Sequence, residues 1–533
     1  MVIGMNRRVK ISMLLLCVLF LGLIARVAVL SVDDAVRAAG NQQGAKTVLV
    51  AEARGTIYDR NRVPLVNATD AYYASLLPQM ELAQRLEGNT DPAEYSRVLT
   101  AVREGVPTRA KLYGPTTITA GLQLYIAPQR YTERCLAPHL IGYMNGDNTA
   151  GATGIERAYN TLLQQCSGQI TTTYAMDGGG RYRIGADTRV TNTIERCRGG
   201  VVLSIDHAIQ EKVENIAAAS IKKGAVVVLD AESGDVLSMA SYPTFHPASV
   251  AESMDDEDGA LMNRCLSLFD CGSVFKIVTA LAALESGVAV EQMYECPGSI
   301  TVDGTTFHCH YRLGHQALNM EEAFAQSCNV YFIQLAQQIG ARAVLDMAEK
   351  LGLCEEITLA ESLFAPSAVL PTSADLTADA ALANLSFGQG KLLVTPLHIA
   401  RMTAVVADGE TLPEISVVLG VVNEDGQWIE GYERGGKTVI SASSAAILRR
   451  MMERVVTAGT GMAAQSNEIT GAGKTGTAET GQKENGRAVQ HSWFTGYFPA
   501  EEPQYVVTVL VENATSADKS AAEIFCEISN NLM

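Results

Sequence analysis

An apolar run extends from Ile11 to Ala25, pauses at Arg26 and resumes from Val27 to Leu30. Counted through Leu30, the run reaches the roughly 20 residues that cross a bilayer as a helix. Arg7, Arg8 and Lys10 precede it. The positive-inside rule then keeps the N-terminus in the cytoplasm and sends the remainder outside. Arg26 lies near the outer end, where a long side chain reaches the interface. A cleaved signal peptide is the alternative, with Ala35, Ala38 and Ala39 as the small residues around its cleavage site. No second long apolar run follows, so the pattern predicts a single-pass protein whose bulk lies on the extracytoplasmic side.

From residue 31 to about 200 the pattern is mixed, polar in places, with Gly and Thr turns, and predicts an α+β region with short strands. The character changes near 201. Val201 to Asp206 reads as a strand, and Ile209, Val213 and Ile216 fall at helical spacing. Gly224 to Leu229 is a continuous β-branched run of the kind found in strands buried on both faces. Val236 to Ser241 is a second strand after a turn at Glu232 to Asp235. Near the other end, Ser492 to Phe498 and Tyr505 to Glu512 predict two more strands, and Ala521 to Ile528 a helix. Strands at both ends with a mostly helical middle (about 261–460) predict one antiparallel sheet covered by helices.

At 533 residues the chain is too long for one core, and two or three domains are expected. Hydrophobic residues make up 47% and charged residues 19%, which suits folded domains. The formal charge of −17 and the lack of a basic stripe argue against a nucleic-acid partner. The 11 cysteines are scattered, unlike the dense framework of a small disulfide-bonded domain.

Three short patterns carry chemistry together. A serine hydroxyl needs a base, and a lysine three residues later on a helix shares its face. Ser273-Val274-Phe275-Lys276 has that spacing, follows Gly272 and opens an apolar run to Leu284. Ser220/Lys223 and Ser516/Lys519 have the spacing but not the buried helix. Ser327-Cys328-Asn329 supplies a hydroxyl to relay a proton and an amide to align a substrate; Ser529/Asn531 at the C-terminus is a chance copy. Lys474-Thr475-Gly476-Thr477 supplies an edge strand with a cation and two hydroxyls for a carboxylate, and a glycine for close backbone approach. A phosphate-binding loop would need Gly where Glu468 stands. The order of the three patterns is far more specific than any one of them.

With this trio the chain resembles the penicillin-binding transpeptidases. Further features resemble class B. They are Arg54-Gly55-Thr56-Ile57-Tyr58-Asp59-Arg60-Asn61, Arg130-Tyr131, His139 with Gly142, and Gly151 to Tyr159 with Gly154 and Glu156. Also similar are Asn263-Arg264, Ser386 to Gly390 with Thr395-Pro396-Leu397, and His491 to Gly496. The resemblance implies an α+β protein with three parts. These are a cytoplasmic tail and transmembrane anchor (1–30), an elongated non-catalytic pedestal (31–200), and a transpeptidase domain with a central antiparallel sheet flanked by helices (201–533). Arg54 and Glu156 are read as structural. Cys271 stands where the family often has proline and is assigned to packing; Glu523 likewise replaces a proline.

The resemblance implies a peptidoglycan D,D-transpeptidase. Ser273 attacks the penultimate D-alanine carbonyl of a stem peptide, and Lys276 acts as base, its pKa lowered by burial and by Lys474. Ser327 passes a proton to the leaving D-alanine and Asn329 aligns the stem. The backbone N–H groups of Ser273 and Thr477 form the oxyanion hole. Thr475, Gly476 and Thr477 bind the terminal carboxylate beside Lys474. β-Lactams are expected to acylate Ser273. Expected partners are stem peptides, glycan derived from lipid-linked precursor and a SEDS-family glycosyltransferase. No metal or organic cofactor is expected. The rivals are a D,D-carboxypeptidase or β-lactamase-like hydrolase, and a non-catalytic β-lactam sensor or scaffold. A sensor would need more cytoplasmic chain than the ten or so residues before the anchor. Outside the trio, Cys296 and Cys309 flank a hairpin turning at Val302 to Thr305, and a disulfide is expected there. Free thiols are one alternative. A zinc site with His308, His310 and His315 is the other, at a spacing that matches no strong template. His491 and Trp493 are read as supports of the sheet.

Overall fold

The computed structural model describes residues 7–32, 44–177, 179–185, 187–432, 434–484, 487–515 and 518–533. The first apolar run forms helix α1 (Arg7–Val32), of which Arg7–Leu30 is long and apolar enough to cross a membrane and none is buried against protein. Ala35, Ala38, Ala39 and Ser516 lie outside the described residues.

The chain forms two compact units. The smaller takes residues 1–54, 69–129 and 167–196. It holds two three-stranded sheets. In one, Ala45–Ala53 pairs with Gly168–Ala175, which pairs in turn with Arg189–Asn192. In the other, Thr69–Leu76 lies between Thr108–Leu112 and Leu122–Gln129. The helix Pro92–Arg103 packs Val98 and Val102 on the second sheet, and Asp91 caps it through the Ala93 N–H.

The larger unit takes residues 55–68, 130–166 and 197–533. It includes Gly55, Asp59, Arg60, Gly154 and Glu156 of the class B-like patterns, whereas Arg54 falls in the smaller unit. The unit is built on a five-stranded antiparallel sheet. Its elements in chain order are α2 (His207–Ser220), β1 (Gly224–Asp230), β2 (Val236–Tyr242), α3 (Lys276–Glu285), β3 (Tyr294–Cys296), β4 (Ser299–Val302), β5 (Thr305–His308), β6 (Gln316–Leu318), α4 (Met320–Ala325), α5 (Asn329–Lys350), α6 (Pro396–Asp408), α7 (Ala442–Ala458), β7 (Ala472–Glu484), β8 (Arg487–Phe498), β9 (Tyr505–Ala514) and α8 (Ala521–Leu532). The spatial order of the large sheet is β2-β1-β9-β8-β7, which leaves β7 on the edge.

The continuous apolar run of β1 is explained by its two buried faces. Ala225, Val227 and Leu229 point into the core that includes α3 and α6, while Val226 and Val228 meet Val213, Ile216, Phe525 and Ile528 of α2 and α8. Fully burying each such side chain is worth about 1.5–3 kcal/mol. Asp206 caps α2, and Ser520 with Glu523 forms a capping box on α8, so Glu523 has a helix-starting role of its own. The mixed α+β class and the helix-flanked antiparallel sheet follow the sequence pattern. One strand does not join that sheet: Gly200–Leu203 pairs in parallel with Thr56–Tyr58 and antiparallel with Val418–Val422 in a separate four-stranded sheet.

Candidate active site

The nucleophile turn begins at Gly272, whose positive φ (55°) only glycine adopts cheaply. A Cβ there would stand 2.3 Å from the Thr477 carbonyl oxygen, so the turn lies directly against β7. Residues Gly272–Phe275 form a single 3-10 turn that runs into α3. All of α3 from Lys276 to Ala283 is buried, and apart from Lys276 and Thr279 these residues are apolar. Ser273 is half-buried at the mouth of this turn, with Lys276 one turn below it.

Lys276 is completely buried. Its Nζ lies 3.0 Å from Ser273 Oγ, 3.1 Å from Ser327 Oγ, 2.7 Å from the Ser327 carbonyl oxygen and 2.7 Å from Asn329 Oδ1. Burial pulls its pKa down to about 7, partly opposed by the nearby thiols of Cys328 and Cys309. Lys474, equally buried, lies 3.1 Å from Ser327 Oγ and donates to the Thr475 carbonyl at 2.9 Å. Its pKa is held well below the ordinary lysine value by burial and then by the charge of Lys276. Phe332 and Phe324 each present a ring face to one of the two amines, at 5.6 Å.

Ser327 bridges the two amines from a left-handed turn (φ 51°) between α4 and α5. Helix α4 starts at an Asn319/Glu322 capping box, and Cys328 is the N-cap position of α5. Asn329 donates from Nδ2 to the His308 carbonyl at 3.2 Å while its Oδ1 faces Lys276. Hydroxyl 273, amine 276, the 327/329 pair and amine 474 therefore share one cluster, as the three sequence patterns require.

β7 alternates as a strand should. Lys474, Gly476 and Ala478 are buried, Thr475 is half-buried and Thr477 is exposed. Thr475 Oγ1 lies 2.7 Å from Thr460 Oγ1, a neighbour that the sequence patterns did not single out. Gly476 has a different reason to be glycine than close substrate approach. A Cβ there would stand 2.6 Å from Val274 Cγ2 and 2.8 Å from the Cys271 carbonyl oxygen, so its open side faces the nucleophile turn. Trp493 in β8 donates from Nε1 to the Asp270 carbonyl at 2.9 Å, and His491 meets Phe269 edge to face. Both brace the segment before the nucleophile. Cys271 is buried with its thiol pushed up to about 12 by desolvation, which leaves it a packing group.

The class B-like residues are structural in their contacts. Glu156 is fully buried and accepts from Arg130 Nε at 2.7 Å and Tyr131 Oη at 3.0 Å, and Arg130 also donates to the Gly55 carbonyl at 2.6 Å. Asp59 accepts from the Asn61 and Val63 N–H groups and from the His207 N–H at the start of α2. Arg60 faces Asp235 at 3.6 Å. Gly154 has a positive φ (59°) and packs where a Cβ would stand 2.4 Å from the Leu140 carbonyl oxygen.

Ser220, of the Ser220/Lys223 copy, is the half-buried last residue of α2 and opens no helix, as a chance copy should be. One sequence expectation fails. The Cys296–Cys309 disulfide is not formed, and both are free thiols. The two are not an opposed hairpin pair, although their sulfurs lie within 4.8 Å of each other. The hairpin of β4 and β5 pairs Ser299 with His308, which sets Cys309 beside Gly298, while Cys296 belongs to β3 and pairs with Gln316 of β6.

Residues 224–530 match the penicillin binding protein transpeptidase domain. Penicillin-binding protein PbpB of Mycolicibacterium smegmatis is 31% identical over 432 residues, 76% of this chain and 64% of that protein, so the chain spans less than two thirds of that relative's length. Peptidoglycan D,D-transpeptidase PbpA of Mycobacterium tuberculosis is 29% identical over 421 residues, 71% of this chain and 80% of the relative. Among solved structures, penicillin binding protein 3 of Mycobacterium tuberculosis complexed with aztreonam matches with a TM-score of 0.65. The identity is 25%, over 92% of this chain and 96% of that one. Order of patterns, side-chain geometry and domain match converge, and the chain belongs to the penicillin-binding transpeptidase family, as a class B penicillin-binding protein.

Proposed function

We propose that the protein is a serine D,D-transpeptidase that cross-links peptidoglycan stem peptides and is inhibited by β-lactams. The observation that carries this reading is the position of the buried Lys276 amine, 3.0 Å from Ser273 Oγ. Four polar oxygens surround that amine. A neutral amine has two N–H donors and one lone pair, so it donates to two of them and accepts from the Ser273 hydroxyl. Burial favours this neutral form.

Ser273 Oγ attacks the penultimate D-alanine carbonyl carbon, and its proton passes to Lys276 Nζ. The backbone N–H groups of Ser273 and Thr477 stabilise the oxyanion; such a donor is worth roughly 10²–10³ in rate. The peptide C–N bond then breaks, and the D-alanine amine takes a proton through Ser327, which lies between both lysines. Lys474, Thr475 and Thr477 hold the terminal carboxylate, and Asn329 orients the stem. The amine of a second stem attacks the ester, returns a proton to Ser273 and leaves a new amide. Aztreonam in the mycobacterial relative and the transpeptidase name of PbpA support the same chemistry here.

The apolar α1 anchors the protein in the cell membrane once, with the catalytic unit on the extracytoplasmic side. The chain before residue 201 serves as non-catalytic support, and a SEDS-family glycosyltransferase supplies the glycan. The test is a product assay with a D-Ala-D-Ala-ended stem peptide. A cross-linked product that requires an added acceptor amine is the expected result. Hydrolysis alone, unchanged by the acceptor, would assign a carboxypeptidase.

A further inference from the structure

We propose that Cys296, Cys309, His315 and Cys328 bind one zinc ion that clamps the Ser327–Asn329 turn. The four ligand atoms all lie within 4.8 Å of one another. Individual separations are 3.6 Å for Cys296 Sγ to His315 Nδ1, 3.5 Å for Cys309 Sγ to His315 Nδ1 and 3.9 Å for Cys309 Sγ to Cys328 Sγ. A tetrahedral zinc with bonds of about 2.3 Å to sulfur and about 2.0 Å to nitrogen would set sulfur–sulfur edges near 3.8 Å and sulfur–nitrogen edges near 3.5 Å. The three separations above match those edges, and the remaining ones stay within 4.8 Å.

Burial and chemistry agree with the spacing. The three cysteines are no more than 1% exposed. Scattered packing thiols have no reason to converge on one imidazole nitrogen. Three thiolates and one imidazole are a soft, closed, four-ligand set, the kind that selects zinc and leaves no open position for substrate. The role is therefore structural. Four separate segments supply the ligands: the end of β3, the residue after β5, the residue before β6 and the N-cap of α5. That origin explains why no short zinc template appears in the sequence, and it revises the expectation of no metal.

The consequence lies in Cys328. It sits between Ser327, which bridges both lysines, and Asn329, which meets Lys276 at 2.7 Å. Ser327 occupies a left-handed conformation that a non-glycine residue keeps only where its surroundings hold it. A metal bond to the next residue, with Cys296 and Cys309 tied to the flanking small strands, supplies that hold. Binding releases the three thiol protons to solvent.

The full-length chain, purified in detergent with reductant and zinc, tests the proposal by elemental analysis. About one zinc per chain is expected. His315→Ala and Cys309→Ser should lose most of it, while Cys354→Ser, at an exposed cysteine, should keep it. Cobalt(II) exchanged into the wild-type protein should show thiolate charge-transfer bands and the strong visible bands of a tetrahedral centre, which guards against variants that fail to fold. Metal-free wild-type protein under these conditions would overturn the proposal. So would zinc retained at full stoichiometry in Cys309→Ser, or a Cys309–Cys328 disulfide found by peptide mapping. Metal-free protein that still reacts with penicillin would leave the transpeptidase reading standing.

Discussion

Lys276 Nζ and Ser273 Oγ lie 3.0 Å apart, with the lysine fully buried and its hydroxyl partner half-buried. The separation follows from one helical turn, and the burial follows from the largely apolar, fully buried stretch of α3 that Lys276 opens. Together they place a readily deprotonated amine where a proton must be taken.

The first prediction is a pH dependence. With its pKa near 7, Lys276 is protonated below that value and has no lone pair to offer. Acylation by benzylpenicillin should fall about tenfold per pH unit below about 7 and level off above it. A rate that stays flat from about pH 5.5 to about pH 8 would remove Lys276 as the base.

Lys276→Met should separate function from stability. It keeps the length of the side chain and removes a buried amine that desolvation disfavours. Acylation should fall by roughly 10²–10⁴, while the thermal midpoint rises. Stopped-flow acylation and calorimetry on the same preparation check both signs.

Gly476→Ala tests the contact between β7 and the nucleophile turn. The added Cβ would stand 2.6 Å from Val274 and must push the turn aside. A displacement near 1 Å at the reacting centre costs about 100-fold in rate. Circular dichroism should remain unchanged while penicillin acylation drops by that amount.

Glu156→Ala tests a structural assignment. It would strand Arg130 and Tyr131 in a buried site and should destabilise the larger unit by about 3–5 kcal/mol. Denaturant unfolding measures the loss. The variant, below its own midpoint, should still acylate at the wild-type rate.

What the sequence made legible was local or periodic. The Ser273/Lys276 spacing is one helical turn, and the alternation of buried and open residues along 474–478 belongs to any half-covered strand. Trp493 and His491 were readable as supports because they neighbour that strand in register, Trp493 opposite Gly476 and His491 opposite Ala478. The failures needed long-range register. Cys296 and Cys309 look opposed across a hairpin until Cys296 is drawn into a second pairing with β6. Gly200–Leu203 reads as a strand of the main sheet, yet its parallel partner is Thr56–Tyr58, more than a hundred residues earlier. The contact between Thr460 and Thr475 depends on how the end of α7 meets β7, which no pattern along the chain encodes.

The most direct test is the site of penicillin attachment. Full-length protein is incubated with benzylpenicillin, digested and mapped by mass spectrometry beside Ser273→Ala. One covalent adduct on Ser273, absent from the variant, is the predicted result. An adduct on another residue, or equal labelling of the variant, would contradict the account.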